Sequence, residues 1–503
     1  MKFVSTRKGI VATAPETVFQ GLAPDGGLYL PSGEVKSEEL RAKSLSCTTL
    51  REAEAFVCEQ LFGDFPESVR EEAIARLLSR FPAEDPVPLV EKDGLHILEL
   101  FHGKTGAFKD VALSMLPVFM RHSAGGKRVL ILTATSGDTG SAAMQGFAGV
   151  EGTEIIVFYP ATGTSRIQKL QMTTPSEANV HAVGIRGNFD DAQGAVKRIF
   201  ASKEINDAAA KAGVTLSSAN SINTGRLIPQ IAYYVLAGAK LNATDGGNPP
   251  NPPEGIVKSF DVVVPSGNFG NILAAYYAKK LGTPIRKLIV ASNVNDVLAR
   301  FVKTGFYDPG EKFTVTNSPS MDIRISSNVE RLLWMLNYEV AFGNDFSRVE
   351  HKDHKDAVEY ACAEVSRMMK DLKEKGRYEL NDAAKAKLFA EFEGGVATPE
   401  ETEAEMRRMR EAAGYLIDPH TAVATFVAKR EVEKKGGGGE RNIPMVVAAT
   451  ATPYKFPETC MRAYGEDVLD NPPPSCKDLE KLPIAQTRVC DVDKIDEEVT
   501  RLF

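Results

Sequence analysis

Apolar positions along this 503-residue chain come in short uninterrupted runs. Examples are Arg128-Val129-Leu130-Ile131-Leu132-Thr133, Glu154-Ile155-Ile156-Val157-Phe158-Tyr159, Asp261-Val262-Val263-Val264, Lys287-Leu288-Ile289-Val290-Ala291 and Met445-Val446-Val447-Ala448-Ala449. Each suits a strand and is short for a helix, and most are rich in β-branched residues. A strand that is apolar on both faces needs cover on both faces, which a parallel sheet between helix layers provides. Two of the runs lead into Gly-rich turns, Ser136-Gly137-Asp138 and Ser266-Gly267-Asn268, followed by helix-like stretches. The recurring order of strand, turn and helix predicts an α/β protein. Residues 360–412 carry helical periodicity with many charges, as from Glu403 to Arg410, and predict helices with one solvated face.

Composition adds bounds to this picture. A chain of 503 residues exceeds one ordinary core, so two or three domains are expected. Hydrophobic residues at 43% and charged residues at 25% are ordinary for a globular protein. The net charge of -7, from 60 basic and 67 acidic residues, gives no electrostatic reason to expect nucleic acid. No apolar run approaches the roughly 20 residues that span a bilayer, so no membrane is expected. The N-terminus lacks the apolar core of a secretory signal. Six scattered cysteines without a CxxC pair predict reduced thiols and a cytoplasmic protein. Asn242 to Gly255, Lys434 to Glu440 and Asn471 to Pro474 are expected as surface insertions, because none can bury a core. His351 and His354 lack a third ligand at useful spacing, so no metal is expected.

Three loops carry candidate chemistry. In His102-Gly103-Lys104-Thr105-Gly106-Ala107-Phe108-Lys109-Asp110, a lysine stands in a Gly-rich turn between an apolar strand and an apolar helix. Burial there would lower the lysine pKa and leave a nucleophilic amine able to form a Schiff base. On its own the segment also fits an ordinary surface lysine. Thr135-Ser136-Gly137-Asp138-Thr139-Gly140 follows a strand, and its small residues admit an anion to a helix N-terminus. Asp138 opposes that anion unless it caps the helix or bonds a protonated group. Pro265-Ser266-Gly267-Asn268-Phe269-Gly270-Asn271 is a better phosphate cup, with two glycines and no charge. It is neither GxGxxG nor a P-loop, which disfavours a dinucleotide. One lysine and two anion cups are the parts needed to hold pyridoxal phosphate together with an amino acid.

At these loops the chain resembles the fold-type II pyridoxal-phosphate enzymes and, within them, the threonine synthase family. The resemblance runs through Ser5-Thr6-Arg7, Gly21-Leu22-Ala23-Pro24-Asp25-Gly26-Gly27-Leu28-Tyr29, the lysine segment, the Ser136 loop and Gly187-Asn188-Phe189-Asp190-Asp191. It continues through Asn220-Ser221-Ile222-Asn223-Thr224-Gly225-Arg226, Ser318-Pro319-Ser320-Met321-Asp322 and Asp418-Pro419-His420-Thr421-Ala422. It implies a tryptophan synthase β-like fold with two open, twisted parallel-sheet domains and an N-terminal domain. Residues 1–92 would form the N-terminal domain, 93–122 and 218–503 the large cofactor domain, and 123–217 the small mobile substrate domain.

Carried over position by position, Lys109 matches the cofactor lysine, which is also the catalytic base. Ser266, Gly267, Asn268, Phe269, Gly270 and Asn271 match the loop around the cofactor phosphate, and Thr450 matches the hydroxyl facing the pyridine nitrogen. Thr135, Ser136, Asp138 and Thr139 match the loop for the substrate carboxylate. Asn220, Ser221 and Arg226 match the substrate-phosphate site, which suits an arginine's planar fork. Two departures stand out: Lys104 replaces the family's usual proline, and Thr452 replaces its histidine in Thr450-Ala451-Thr452-Pro453-Tyr454-Lys455-Phe456. The resemblance implies conversion of O-phospho-L-homoserine and water to L-threonine and phosphate, by a monomer or homodimer. A phospho-lyase releasing a 2-oxo acid would use the same motifs. A non-catalytic phospholigand-binding protein is the remote alternative. The family's plant-type segment for S-adenosylmethionine is not recognisable, so no such activation is expected.

Overall fold

A computed structural model describes residues 2–32, 37–243, 257–310, 312–342, 351–434, 443–465 and 467–503. Each apolar run named above forms a buried strand of one of two sheets. The larger sheet has the strand order Phe392–Val396, Ile285–Ser292, Phe260–Pro265, Met445–Ala449, Leu95–Glu99, Leu89–Lys92. It is parallel except for the last pair, which is antiparallel. The smaller sheet runs Arg488–Asp491, Val180–Arg186, Thr153–Pro160, Arg128–Ala134, Val214–Ser218, all parallel. An N-terminal antiparallel sheet of Val11–Ala12, Lys2–Ser5 and Tyr29–Ser32 completes the expected set of two parallel sheets and an N-terminal unit.

Two expected boundaries need correction. Residues 218–503 do not all join the larger sheet, because Arg488–Asp491 pairs in parallel with Val183–Arg186 of the smaller one. Ile495 and Val499, from the helix after it, are fully buried in the core of the smaller sheet. Leu89–Lys92, expected in the N-terminal domain, instead pairs with Leu95–Leu98 as an edge of the larger sheet.

The helix Lys109–Ala124 lies in the middle of the molecule, against helices of the N-terminal unit and the helix Asp138–Phe147. Every residue from Asp110 to Met120 is buried, which fits a stretch that is apolar apart from Asp110 and Ser114. The N-terminal unit is joined to the rest by specific polar contacts. Thr6 Oγ1 donates to Glu330 Oε1 at 2.6 Å, and the hydroxyls of Thr17 and Thr224 meet at 2.8 Å. Asn223 Nδ2 donates to the Val18 carbonyl at 2.9 Å.

Asn471–Pro474 lies at or near the surface, while most of the other two expected insertions, residues 244–255 and 435–440, lies outside the described residues. No described helix is long and apolar enough to cross a membrane. Among the described residues no three His, Cys, Asp or Glu side chains gather as a metal site requires, and His354 Nδ1 instead meets the Tyr338 hydroxyl at 2.7 Å. The His351 side chain lies outside the described residues.

Candidate active site

Ligands of open parallel sheets bind beyond the carboxyl ends of the strands, where the following loops gather. Here both sheets present those ends to one cavity of about 650 Å³. The strand Phe260–Pro265 delivers Ser266 to Asn271, and Met445–Ala449 delivers Thr450. From the smaller sheet, Arg128–Ala134 delivers Thr135, Ser136, Asp138 and Thr139, and Val214–Ser218 delivers Asn220, Ser221 and Arg226. Lys109 enters from the start of its helix. Every site residue singled out from the sequence therefore lines the same cavity.

The lysine is held by its surroundings and not by its own segment alone. Asp110 accepts from Thr105 N at 2.8 Å and from Thr105 Oγ1 at 2.7 Å, which closes the turn before Lys109. Phe108 N donates to the Thr450 carbonyl at 2.9 Å, tying that turn to the end of a strand. Lys109 Nζ donates to Asp138 Oδ2 at 3.1 Å. Burial pushes the Lys109 amine below the ordinary lysine range, opposed by the Asp138 charge and aided by Lys455. Asp138 is ionised: burial works against its charge, but Lys109 and Lys455 together hold it well below the usual carboxylate range. The objection that Asp138 would repel an anion is answered by these two ammonium groups. It does not cap its helix, whose N-cap is Gly137 without a side-chain cap.

The Ser266 loop has the properties of a phosphate cup. It feeds the helix Gly270–Lys280, whose first N–H groups receive no side-chain cap. Phe269 takes φ +61, a left-handed turn that swings the chain into the helix. A Cβ on Gly267 would stand 2.6 Å from the Ser320 carbonyl oxygen, so glycine lets two loops close over one another. Asn271 Nδ2 is buried without a partner, while its Oδ1 accepts from the Tyr234 hydroxyl. In the opposite cup, Thr135 Oγ1 accepts from Gly137 N and Gly140 N, both at 2.9 Å. Gly137 sits at φ +152, with Gln168 Cδ 2.4 Å from where a Cβ would be.

Arg226 is 2% exposed, and burial lowers its pKa to about 10. Nη1 donates to the Ala219 carbonyl at 2.6 Å, and Nε is buried without a partner. Among the described residues no carboxylate pairs with it. An ordinary structural ion pair is thus absent there, and an arginine so placed favours an incoming anion.

The sequence comparisons bear on this geometry. Residues 82–378 match a family described as pyridoxal-phosphate dependent enzyme. Residues 2–76 match threonine synthase N terminus, and residues 421–501 match threonine synthase, C-terminal. The threonine synthase of Saccharomyces cerevisiae is 34% identical over 97% of this chain and 93% of its own.

The chain belongs to the threonine synthase family.

A pyridoxal-phosphate-bound threonine synthase from Brucella melitensis has the same fold, with TM-score 0.83 and 36% identity over 100% of this chain and 99% of that one. Threonine synthase-like 1 of Homo sapiens is 36% identical over 89% of this chain but only 57% of its own length. Identity does not separate these two branches of the threonine synthase family, whereas the coverage of the yeast relative is the fuller.

Several residues that line or support this family member's cavity escaped sequence reasoning. His420 lines it, with Nδ1 2.7 Å from Asp418 Oδ1, and its Nε2 accepts from Ser320 N at 3.1 Å. In this geometry Nδ1 faces the Asp418 carboxylate and Nε2 faces the Ser320 amide. Gln168 Nε2 donates to Asp138 Oδ1 at 2.8 Å. Arg331, fully buried, donates to the Tyr29 carbonyl at 2.7 Å and the Ile222 carbonyl at 2.5 Å, which fixes the backbone beside Ser221. His420 lay in a quoted family segment; Gln168 and Arg331 gave no local signal. Of the two departures, Lys104 is exposed and lines no part of the cavity, and Thr452 packs its methyl group toward Gly106 and lies behind the cavity wall.

Proposed function

We propose that this chain converts O-phospho-L-homoserine and water to L-threonine and phosphate, as a pyridoxal-phosphate-dependent carbon–oxygen lyase acting on phosphates. The observation that carries this reading is a pair of separate walls, each with polar groups suited to an anion, beside one buried lysine. The uncharged Ser266–Asn271 cup, with the free Nδ2 of Asn271, suits the cofactor phosphate. Arg226, with Asn220 and Ser221, suits a second phosphate, that of the substrate. Dehydratases of serine or threonine and cysteine synthases need no such arginine on the substrate side.

When bound, pyridoxal phosphate supplies a ring that accepts the electron pair left at Cα of an amino acid. The chain supplies the rest. Lys109 anchors the cofactor and then takes and returns protons at Cα, and at Cβ, with an amine that burial keeps easier to deprotonate than an exposed lysine. Thr450 lines the cavity, and its neutral hydroxyl would face the pyridine nitrogen. Thr135, Ser136 and Thr139 receive the substrate carboxylate, with Asp138 held off it by two lysines. Arg226 orients the phosphate that leaves. Closure of the unit that carries the Thr135–Thr139 loop excludes bulk water until the hydrating molecule is bound. All of these groups come from one chain, which fits a monomer or homodimer. Six free cysteines fit a cytoplasmic setting.

The first test is optical. Incubation with pyridoxal phosphate should give a yellow protein that absorbs in the violet, and Lys109→Ala should lack that band. A wild type that stays colourless would remove the enzyme reading.

A further inference from the structure

Lys455 is an unusual lysine. It ends the one-turn segment Pro453–Lys455, and its side chain is fully buried. Its Nζ lies 2.8 Å from Asp138 Oδ1, donates to the Thr105 carbonyl at 3.0 Å and reaches Ser141 Oγ at 3.5 Å. A buried ammonium with all its donors engaged has no freedom to bind a ligand, so its role lies in what it does to Asp138. That carboxylate has two unlike sides. Oδ1 is held by Lys455 and by Gln168 Nε2 at 2.8 Å. Oδ2 faces Lys109 at 3.1 Å and the Ser320 hydroxyl at 3.4 Å.

We infer that Lys455 is a positioning residue: a second countercharge that shares Asp138 with Lys109 and so allows Lys109 to give up its proton without leaving Asp138 uncompensated. The inference rests on Lys109 being the cofactor lysine. Were Lys109 the single cation at Asp138, the pair would lock Lys109 in its charged form, because its deprotonation would strand a buried carboxylate. With Lys455 in place, Asp138 stays ionised and fixed whether Lys109 is charged or neutral. The other charged and titratable groups near this row are Arg226 toward Lys109, His420 toward Asp138, and Asp110 toward Lys455. Neither Arg226 nor His420 makes a hydrogen bond to Asp138, so neither replaces Lys455 there.

The experiment measures the pH dependence with which apoprotein captures added pyridoxal phosphate, followed by the violet band. Capture requires the neutral amine of Lys109, so the midpoint of the rate profile reports its ionisation. Lys455→Met should move that midpoint upward by about one pH unit, which is about a tenfold slower capture at neutral pH. Lys455→Arg, which keeps the charge, should stay near the wild-type midpoint. If Lys455→Met does not fold, Lys455→Gln carries the same expectation, since its amide can still donate to Thr105 and Asp138. A folded neutral variant with an unmoved midpoint overturns the inference. Failure of the underlying reading looks different: wild type would capture nothing, or Lys109→Ala would capture as well as wild type.

Discussion

Replacing Arg226 by methionine keeps most of the side chain's volume and removes its charge. Nε has no partner and Nη1 serves the Ala219 carbonyl, so the guanidinium is available to an anion on its remaining edge. Two charge-assisted bonds to a phosphate, at about 1.5 kcal/mol each, amount to about 3 kcal/mol. That corresponds to a loss of roughly a hundredfold in kcat/KM. Binding of the intact substrate uses these bonds, so most of the loss should appear as a raised KM, with a smaller fall in kcat from the poorer leaving phosphate. The assay is phosphate release over a range of O-phosphohomoserine concentrations. Fold stability should not suffer in parallel. Burial lowers the arginine pKa to about 10, so at pH 7 the fold carries a disfavoured charge whose cost disappears only above the folded pKa. Substitution relieves that cost while leaving one carbonyl without its donor, about 1 kcal/mol in the other direction. A melting temperature near wild type, an unchanged violet band and a KM at least tenfold higher is the expected combination. A KM within twofold of wild type would refute the assignment of Arg226 to the substrate phosphate.

Two further substitutions probe the phosphate cup and a buried carboxyl. Gly267→Ala should force the phosphate cup away from the Ser320 carbonyl, at roughly 1–3 kcal/mol of overpacking, and dialysis should strip the cofactor faster than from wild type. Glu54 is fully buried, both its oxygens lack partners, and burial raises its pKa well above the usual carboxylate range. Its folded pKa lies above the unfolded one, so stability is fullest below the unfolded value and is lost as pH rises toward the folded pKa. Glu54→Gln should therefore flatten the fall in melting temperature above about pH 4.5, the ordinary carboxylate range.

What the sequence revealed and what it hid follow from the distances over which each signal acts. The apolar runs at 128–133, 261–264 and 445–449 are local, and each became a buried strand because two covered faces leave no polar position to alternate. The cups at Ser136 and Ser266 were legible for the same reason: strand, small residues and helix lie within one segment. Arg488–Asp491 was not legible. Only Cys490 of its four residues is buried, so it carries no apolar run, and its place at the sheet edge is set by a partner some 300 positions earlier. Lys455 was in plain view within a quoted motif, yet nothing local distinguishes a lysine that is fully buried from one in solvent. Its burial depends on Asp138 and Thr105, which are far away in sequence. Asp138 itself was recognised as a problem for an anion, and only the tertiary structure supplies the second lysine that resolves it.

Product analysis decides which reaction the chain catalyses. Protein loaded with pyridoxal phosphate and given O-phospho-L-homoserine should release phosphate and L-threonine in equal amounts. Phosphate released with 2-oxobutyrate and ammonia, and without threonine, would contradict the claim and make the chain a phospho-lyase.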